Sequence, residues 1–423
     1  LFCDLYELTM AAAYDATGLD GRATFELFVR TLPDQRNFLV AAGLADVLDA
    51  LDEWVFDDTA IAYLRTVPNL PEGFIDRIAG LRFTGELRAV PEGEVVFAEE
   101  PLLEVTAPLI EVQLLETLLL NLIGTATMQA SKAARVALAV GDRGFADFSA
   151  RRDHGVAAAM SAARSSAIAG ASSTSLVEAG RRFGLGLSGT MAHAYVMAFD
   201  DERAAFRSFC RTFPTSAVLL LDTWDTVTGA QHAVEVAREL EGEGVRVAGV
   251  RLDSGDLGAL SRKVRAILDD AGFRDIRIIA SGDLDEHRIA ELVAAGAPID
   301  AFGVGTRMGT SEDAPSLGVV YKLVDDPRGP KLKLAEGKAT LPGRKQIWRG
   351  DDHDVLALLD EVVDGRSLLA PARRESMDVI RERCRTAVAA LPERLRSLTP
   401  ADPPYEVRRS AGLTALVRRR EAA

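Results

Sequence analysis

At 423 residues the chain exceeds what one compact core usually holds, so two domains, or one large α/β barrel with additions, is the expectation. Apolar residues at 48% and charged residues at 26% exclude a disordered chain, and no apolar run reaches the ~18 residues of a membrane span. With 63 acidic against 49 basic side chains the formal charge is −14, which disfavours non-specific attraction to nucleic acid or anionic lipid while leaving room for small anions where arginines cluster.

The opening LFCDLYELTM has no basic stretch ahead of an apolar one, as a secretory leader would. Cys3, Cys210 and Cys384 lie far apart without CxxC spacing, so neither a disulfide framework nor a zinc site is expected, and a reducing cytoplasm fits. The first hundred residues mix the helical LADVLDALDEW with the β-like ATFELFVRTL and GELRAVPEGEVVFAEEPLLEVTAP, which Pro91, Pro101 and Pro108 punctuate. This reads as a separate β-containing domain. From Ile110 to Ala139 the pattern turns helical and is too broadly apolar for a surface helix.

From Ala217 an architectural repeat sets in. AVLLLDT precedes the helical TGAQHAVEVARELEGEG, VRVAGVRLDSGD precedes LGALSRKVRAILDDAG, IRIIASGD precedes LDEHRIAELVAAG, and DAFGVGT closes the series. Strand, polar turn, amphipathic helix and glycine stop, repeated, predict a parallel sheet with crossover helices. Just after each strand stand Asp222, Asp253 with Asp256, Gly282 with Asp283, and Gly305 with Thr306. Parallel α/β folds bind ligands at the carboxyl ends of their strands, so these residues predict one shared pocket. The competing reading is that each carboxylate only caps the helix that follows. After GVVYKLVDD, the basic KLKLAEGKATLPGRKQIWR reads as a β-hairpin returning to the first domain's sheet, and the chain from about Asp354 as mostly helical.

The chemistry-bearing residues follow the same turns. Arg251-Leu252-Asp253-Ser254-Gly255-Asp256 sets a guanidinium at a strand end and two carboxylates in the next turn, suited to ribose hydroxyls or to Mg²⁺, held directly or through water. The SGD turn at 281–283 and the GVGT turn at 303–306 offer backbone amides to a phosphate. In FSARRDHG, Phe148 beside Arg151 and Arg152 suits an anionic aromatic or phosphorylated ligand. His193 lies in the small, apolar SGTMAHAYVMAF, where it is either a core histidine or, next to Gly189 and Thr190, a base or phosphoryl acceptor. His154, His232, His287 and His353 are assigned no role.

The motifs DLYELTMAAAY, ATFELFVRTLP, FLVAAGL, GTATMQASKAARV, FSARRDHG, SGTMAHAY, LLLDTWDT, GVRLDSGDL, ASGDLDE, FGVGT, SLGVVYKLV and TLPGRK, in this order from Asp4 to about Arg349, resemble the nicotinate phosphoribosyltransferase family of type II phosphoribosyltransferases. The resemblance implies an incomplete TIM-like α/β barrel plus a β-sandwich-like domain built from the N-terminal region and a returning C-terminal segment, with C-terminal helices. The corresponding boundaries are 1–109, 110–329 and 330–423. It implies ATP-coupled transfer of a phosphoribosyl group from 5-phosphoribosyl 1-diphosphate to nicotinate, giving nicotinate mononucleotide and diphosphate, in salvage toward NAD. Mg²⁺ would assist the leaving diphosphate.

Carried over by position, His193 matches the histidine that ATP phosphorylates, Thr190 a nicotinate contact, Arg251 the arginine at the ring, and Asp253 the carboxylate near the ribose hydroxyls. Ser254, Gly255 and Asp256 complete that turn, with Asp253 and Asp256 the metal candidates. Gly282 with Asp283 and Gly305 with Thr306 match the turns that hold the phosphoribosyl phosphate. Phe148 matches the aromatic beside the pyridine, with Arg151 and Arg152 in its loop, although Ser149-Ala150 departs from the family's glycine there and leaves the two arginines' placement open. Tyr6 matches a tyrosine that a neighbouring subunit contributes, which implies a homodimer with composite sites. Relatives that use nicotinamide carry an acid where Met191 stands here, which favours nicotinate as the substrate. Quinolinate enzymes are usually much shorter. A silent paralogue that only binds nucleotide is the alternative from another class.

Overall fold

The computed structural model describes residues 1–335 and 340–422. The chain forms two compact units, Leu1–Ser131 with Ser316–Ala423, and Lys132–Pro315. Among the described residues no helix is long and apolar enough to cross a membrane.

In the first unit, strand Arg22–Val29 lies between Pro101–Pro108 and Val319–Asp326, antiparallel to both, in a six-stranded sheet. All but its first residue are buried, so its side chains are enclosed on both faces and simple in/out alternation is lost. Phe25 stacks on Tyr321 with centroids 4.9 Å apart. Two acidic side chains share this interior with cations: Glu26 pairs with Lys345 at 2.9 Å, and Glu104 with Arg88 and Arg344 at 3.0 and 2.7 Å.

The basic stretch pairs differently from the expectation. Lys345–Arg349 does not join the N-terminal sheet but sits between Arg366–Ser367 and His353–Leu358 in a four-stranded sheet of its own, which Glu406–Arg409 completes. The strands that do return to the N-terminal sheet are Val319–Asp326 and Ala370–Pro371. Residues 336–339 of the expected hairpin lie outside the described residues. Helices Met377–Ala390 and Ala411–Glu421 follow.

The second unit holds six parallel strands in the order Ser173–Thr174, Gly144–Asp147, Ala301–Val304, Arg277–Ala280, Val247–Leu252, Ala217–Leu220. The two edge strands do not pair, so the sheet is an incomplete barrel. Its crossover helices start at Asp225, Asp256 and Asp285, whose side chains accept from the amides of Thr228, Ala259 and Arg288. The end of the long helix Glu116–Val140 is tied to helix Glu286–Ala294 by buried ion pairs, Lys132 and Arg135 reaching Glu286 at 2.6 and 2.8 Å.

Candidate active site

The strand-end residues meet as a parallel sheet demands, and two kinds of carboxylate separate there. Asp256, like Asp225 and Asp285, caps a helix. Asp222 and Asp253, three residues ahead of a cap, do not: Asp222 Oδ2 accepts from the Asp253 amide at 3.1 Å and from the Ser254 hydroxyl, while Asp253 Oδ1 accepts from Ser281 Oγ at 2.5 Å. Asp222 Oδ1 is buried with no partner.

Arg251 leaves strand Val247–Leu252 toward the turn before His193. Its Nη1 donates to Thr190 Oγ1 at 2.9 Å and its Nη2 to the Met191 carbonyl at 3.1 Å, while the buried Nε has no partner. Burial lowers its guanidinium from the usual value; Asp253 and Asp222 oppose that, and the nearby charge of Arg151 adds to it. Arg151 is therefore the loop arginine whose charge reaches Arg251. Arginine still remains charged at any working pH.

His193 begins the short helix His193–Met197. Its Nδ1 lies 3.2 Å from Thr223 Oγ1 and its Nε2 4.0 Å from Asp253 Oδ2, with the imidazole 40% exposed. This is not a core histidine: one nitrogen has a hydroxyl partner and the other faces a carboxylate and solvent. The preceding residues run along the gap between the barrel's edges, since the Ser188 amide donates to the Thr174 carbonyl of one edge strand at 3.0 Å while Thr190 and Met191 hold Arg251 near the other.

On the neighbouring strands, the Phe148 amide donates to the Val304 carbonyl at 2.8 Å, and the ring lies so close to Gly303 that a Cβ there would stand 2.5 Å from Cε2. Gly282 adopts φ +95° with its Cα over the Asp253 carbonyl, where a Cβ would stand 2.0 Å from the oxygen. Asp283 follows with φ +49°, so two successive left-handed residues turn the chain sharply at this strand end. Gly305 and Thr306 open the turn beside it, on the adjacent strand.

The second unit thus gathers Phe148, Arg151, Arg152, Thr190, His193, Arg251, Asp253, Ser254, Gly255, Asp256, Gly282, Asp283, Gly305 and Thr306 at one end of its sheet. Tyr6 belongs to the first unit, on helix Leu5–Thr17, where burial and then Glu116 raise its phenol far above the usual value. Asp222 supports Asp253, Thr223 supports His193, and Ser281 completes the carboxylate's contacts. The sequence alone places Asp222 only in the shared strand-end pocket and Ser281 only in a phosphate turn, and assigns Thr223 no role, although Asp222 and Thr223 sit at the same strand-end position as Asp253 and Ser254. No group of three His, Cys, Asp or Glu among the described residues forms a ready metal cluster.

The sequence and the overall fold are matched elsewhere. The family model for the nicotinate phosphoribosyltransferase N-terminal domain matches residues 1–124, and that for the nicotinate phosphoribosyltransferase family matches residues 144–325. A nicotinate phosphoribosyltransferase of Mycobacterium tuberculosis is 46% identical over 421 residues, covering 96% of this chain and 90% of that protein. One of Bacillus subtilis is 44% identical over 384 residues, covering 87% and 78%. The crystal structure of human nicotinic acid phosphoribosyltransferase superposes with a TM-score of 0.88 at 29% identity over 99% of each chain. With strand-end turns, aromatic loop and histidine turn all carried on a sequence this similar across nearly its whole length, the chain belongs to the nicotinate phosphoribosyltransferase family.

Proposed function

We propose that this chain, a nicotinate phosphoribosyltransferase, couples transfer to ATP through transient phosphorylation of His193. In the transfer, the lone pair of the nicotinate ring nitrogen forms the bond to C1 of 5-phosphoribosyl 1-diphosphate. Diphosphate departs with the electrons of the C1–O bond. In the coupled step a His193 nitrogen takes the γ-phosphoryl group of ATP, ADP leaves, and water later cleaves the phosphohistidine.

The observation that carries the reading is the Arg251 guanidinium. Two of its nitrogens are tied to Thr190 and Met191, and a third donor is buried with nothing to donate to. Orphaned buried donors are rare and costly, so an acceptor on the ligand is the natural partner. The nicotinate carboxylate supplies one, with the pyridine beside Phe148. The turns at Gly282–Asp283 and Gly305–Thr306 would hold the 5-phosphate, and Asp253 the ribose hydroxyls. Catalysis is then mainly positioning and charge stabilisation.

Mg²⁺ would neutralise charge on the departing diphosphate. Asp253 and the unpartnered Asp222 Oδ1 fit such an ion, which takes one or two protein carboxylates and fills its shell with phosphate oxygens and water. Asp256 fits less well, because its Oδ1 accepts from the Ala259 amide at 3.1 Å. A homodimer in which Tyr6 of a second copy completes each site is supported by the exposed Leu1, Phe2, Leu5 and Tyr6. Three free thiols support a cytoplasmic setting.

The test offers nicotinate and nicotinamide in parallel with phosphoribosyl diphosphate and Mg²⁺, with and without ATP, and identifies products by mass spectrometry. Nicotinate mononucleotide with stoichiometric ADP is expected, and His193→Ala should retain weak transfer at high phosphoribosyl diphosphate while losing the ATP effect. Full ATP stimulation in that variant removes the phosphoryl-acceptor role. Product from nicotinamide alone moves the substrate to the amide.

A further inference from the structure

The loop that carries Arg151 and Arg152 is held down by a cluster with one proton too few. Ser149 Oγ lies 2.6 Å from Asp147 Oδ1 and 2.9 Å from Asp153 Oδ2. A serine hydroxyl has one proton to donate. Asp147 is fully buried and its carboxylate is otherwise well served, with the Ser149 amide at 3.0 Å on one oxygen and Thr174 Oγ1 at 2.8 Å on the other. Ser149 therefore donates to Asp147, and the contact with Asp153 is a hydrogen bond only if Asp153 carries the proton and donates to Ser149.

The surroundings of Asp153 agree. Its Oδ1 is buried without a partner, against Gly309, where a Cβ would stand 2.2 Å away. Ionisation would strand charge at that oxygen. The charged groups around it are few. Asp147 faces it from the strand, and His154, Arg151 and Arg152 share its loop. Arg164 is buried in the following helix, Val156–Ile168. Arg307, on the helix of Gly309, is held by Asp285 and Glu312 at 2.7 and 3.2 Å. Burial pushes the Asp153 carboxyl up to about 6; the Ser149 hydrogen bond opposes this, Asp147 adds to it and His154 opposes it.

We propose that Asp153 is a positioning residue which, in its protonated form, clasps the Ser149–Gly155 turn to the strand end and so sets Arg151 and Arg152 for the anionic substrate. The turn's own bonds run from the Arg152 amide to the Ser149 carbonyl at 2.7 Å and from the Gly155 amide to the Asp153 carbonyl at 2.9 Å, so the side chain of Asp153 adds a second tie from the far part of the turn to Ser149, which is itself bonded to Asp147. Binding of a phosphorylated substrate beside Arg151 then takes up a proton, and affinity falls as pH rises. The inference rests on the reading of this loop as part of the substrate site.

The experiment compares the KM for phosphoribosyl diphosphate of the wild type and Asp153→Asn from pH 5.5 to 8. Asparagine keeps the shape, stays neutral and can donate to Ser149. The substrate's phosphate also titrates near pH 6, but identically for both proteins. The wild-type KM should rise about tenfold more than that of the variant between pH 6 and 7.5, with kcat changing in parallel in the two. Ser149→Ala removes the acceptor, and its KM should be high throughout without the extra pH dependence. Superimposable profiles in proteins that both turn over nicotinate overturn the clasp and leave the transferase reading intact. Without turnover in either protein the transferase reading fails, and denaturant melts decide the clasp: Asp153→Asn should gain on the wild type as pH rises from 4 to 7. A constant difference overturns it.

Discussion

Arg251 and Thr190 are joined by a hydrogen bond of 2.9 Å from guanidinium Nη1 to hydroxyl Oγ1, and that bond ties a barrel strand to the turn that delivers His193. The arginine braces the turn with two nitrogens, and the proposed function gives the third, buried without a partner, the task of meeting the ligand.

Arg251→Lys should separate these tasks. Lysine keeps the charge but offers a compact ammonium on a flexible stem in place of a planar fork, so it cannot serve Thr190, Met191 and a carboxylate together. A charge-assisted hydrogen bond is worth about 1.5–3 kcal/mol, so the KM for nicotinate should rise roughly ten- to a hundredfold. Steady-state kinetics at saturating phosphoribosyl diphosphate measures this, and an unchanged KM would remove Arg251 from nicotinate binding.

Gly303→Ala should displace Phe148. The new methyl would stand 2.5 Å from Cε2 and 2.6 Å from Cδ2 of the ring, too close for both to stay. Overpacking of this kind costs about 1–3 kcal/mol in stability. The KM for nicotinate should rise several-fold while that for phosphoribosyl diphosphate moves less, because the ring takes the direct clash and Gly303 lies two residues ahead of the Gly305–Thr306 turn. Equal rises in both would place Phe148 elsewhere than beside the pyridine.

Lys345→Met tests the buried pair in the first unit. Burial raises Glu26 to about 7, and Lys345 is the main group that restrains the rise. A folded-state value above the unfolded one means the native state holds its proton longer, so stability falls as pH rises from about 4.5 to 7 and levels off above. Without the lysine, Glu26 moves further up and the loss continues to higher pH. The variant's deficit should be small at pH 5 and grow to about 1.4 kcal/mol at pH 8, one pH unit above the wild-type Glu26 value. Urea melts at the two pH values give the comparison, and a deficit that does not grow with pH would contradict it.

The legible part of the site is the part written in short-range pattern. A parallel sheet puts its strand ends together, so Arg251, Asp253, Gly282 and Gly305 could be assembled from the order of strands and turns. The same pattern hid the difference between Asp253 and Asp256, because whether a carboxylate caps a helix or faces the ligand depends on a spacing of three residues and on backbone angles. Thr223 beside His193, and Ser281 beside Asp253, are contacts across 30 and 28 residues that no local period encodes. In the first unit, helices and strands could be read singly. The pairing of Leu27 with Tyr321 could not, since a strand enclosed on both faces carries no alternation to mark its partner.

The division of the chain has a consequence for the order in which the protein can assemble. The second unit is a continuous run nested inside the first, whose sheet needs both Arg22–Val29 and Val319–Asp326. During synthesis the nested unit is therefore complete in the emerging chain before the earlier-made unit has all its strands. Until residue 326 emerges, Arg22–Val29 has one edge without its partner, a row of backbone groups open to pairing with another nascent chain. The nested half of the molecule can form first, while the half translated first has to wait.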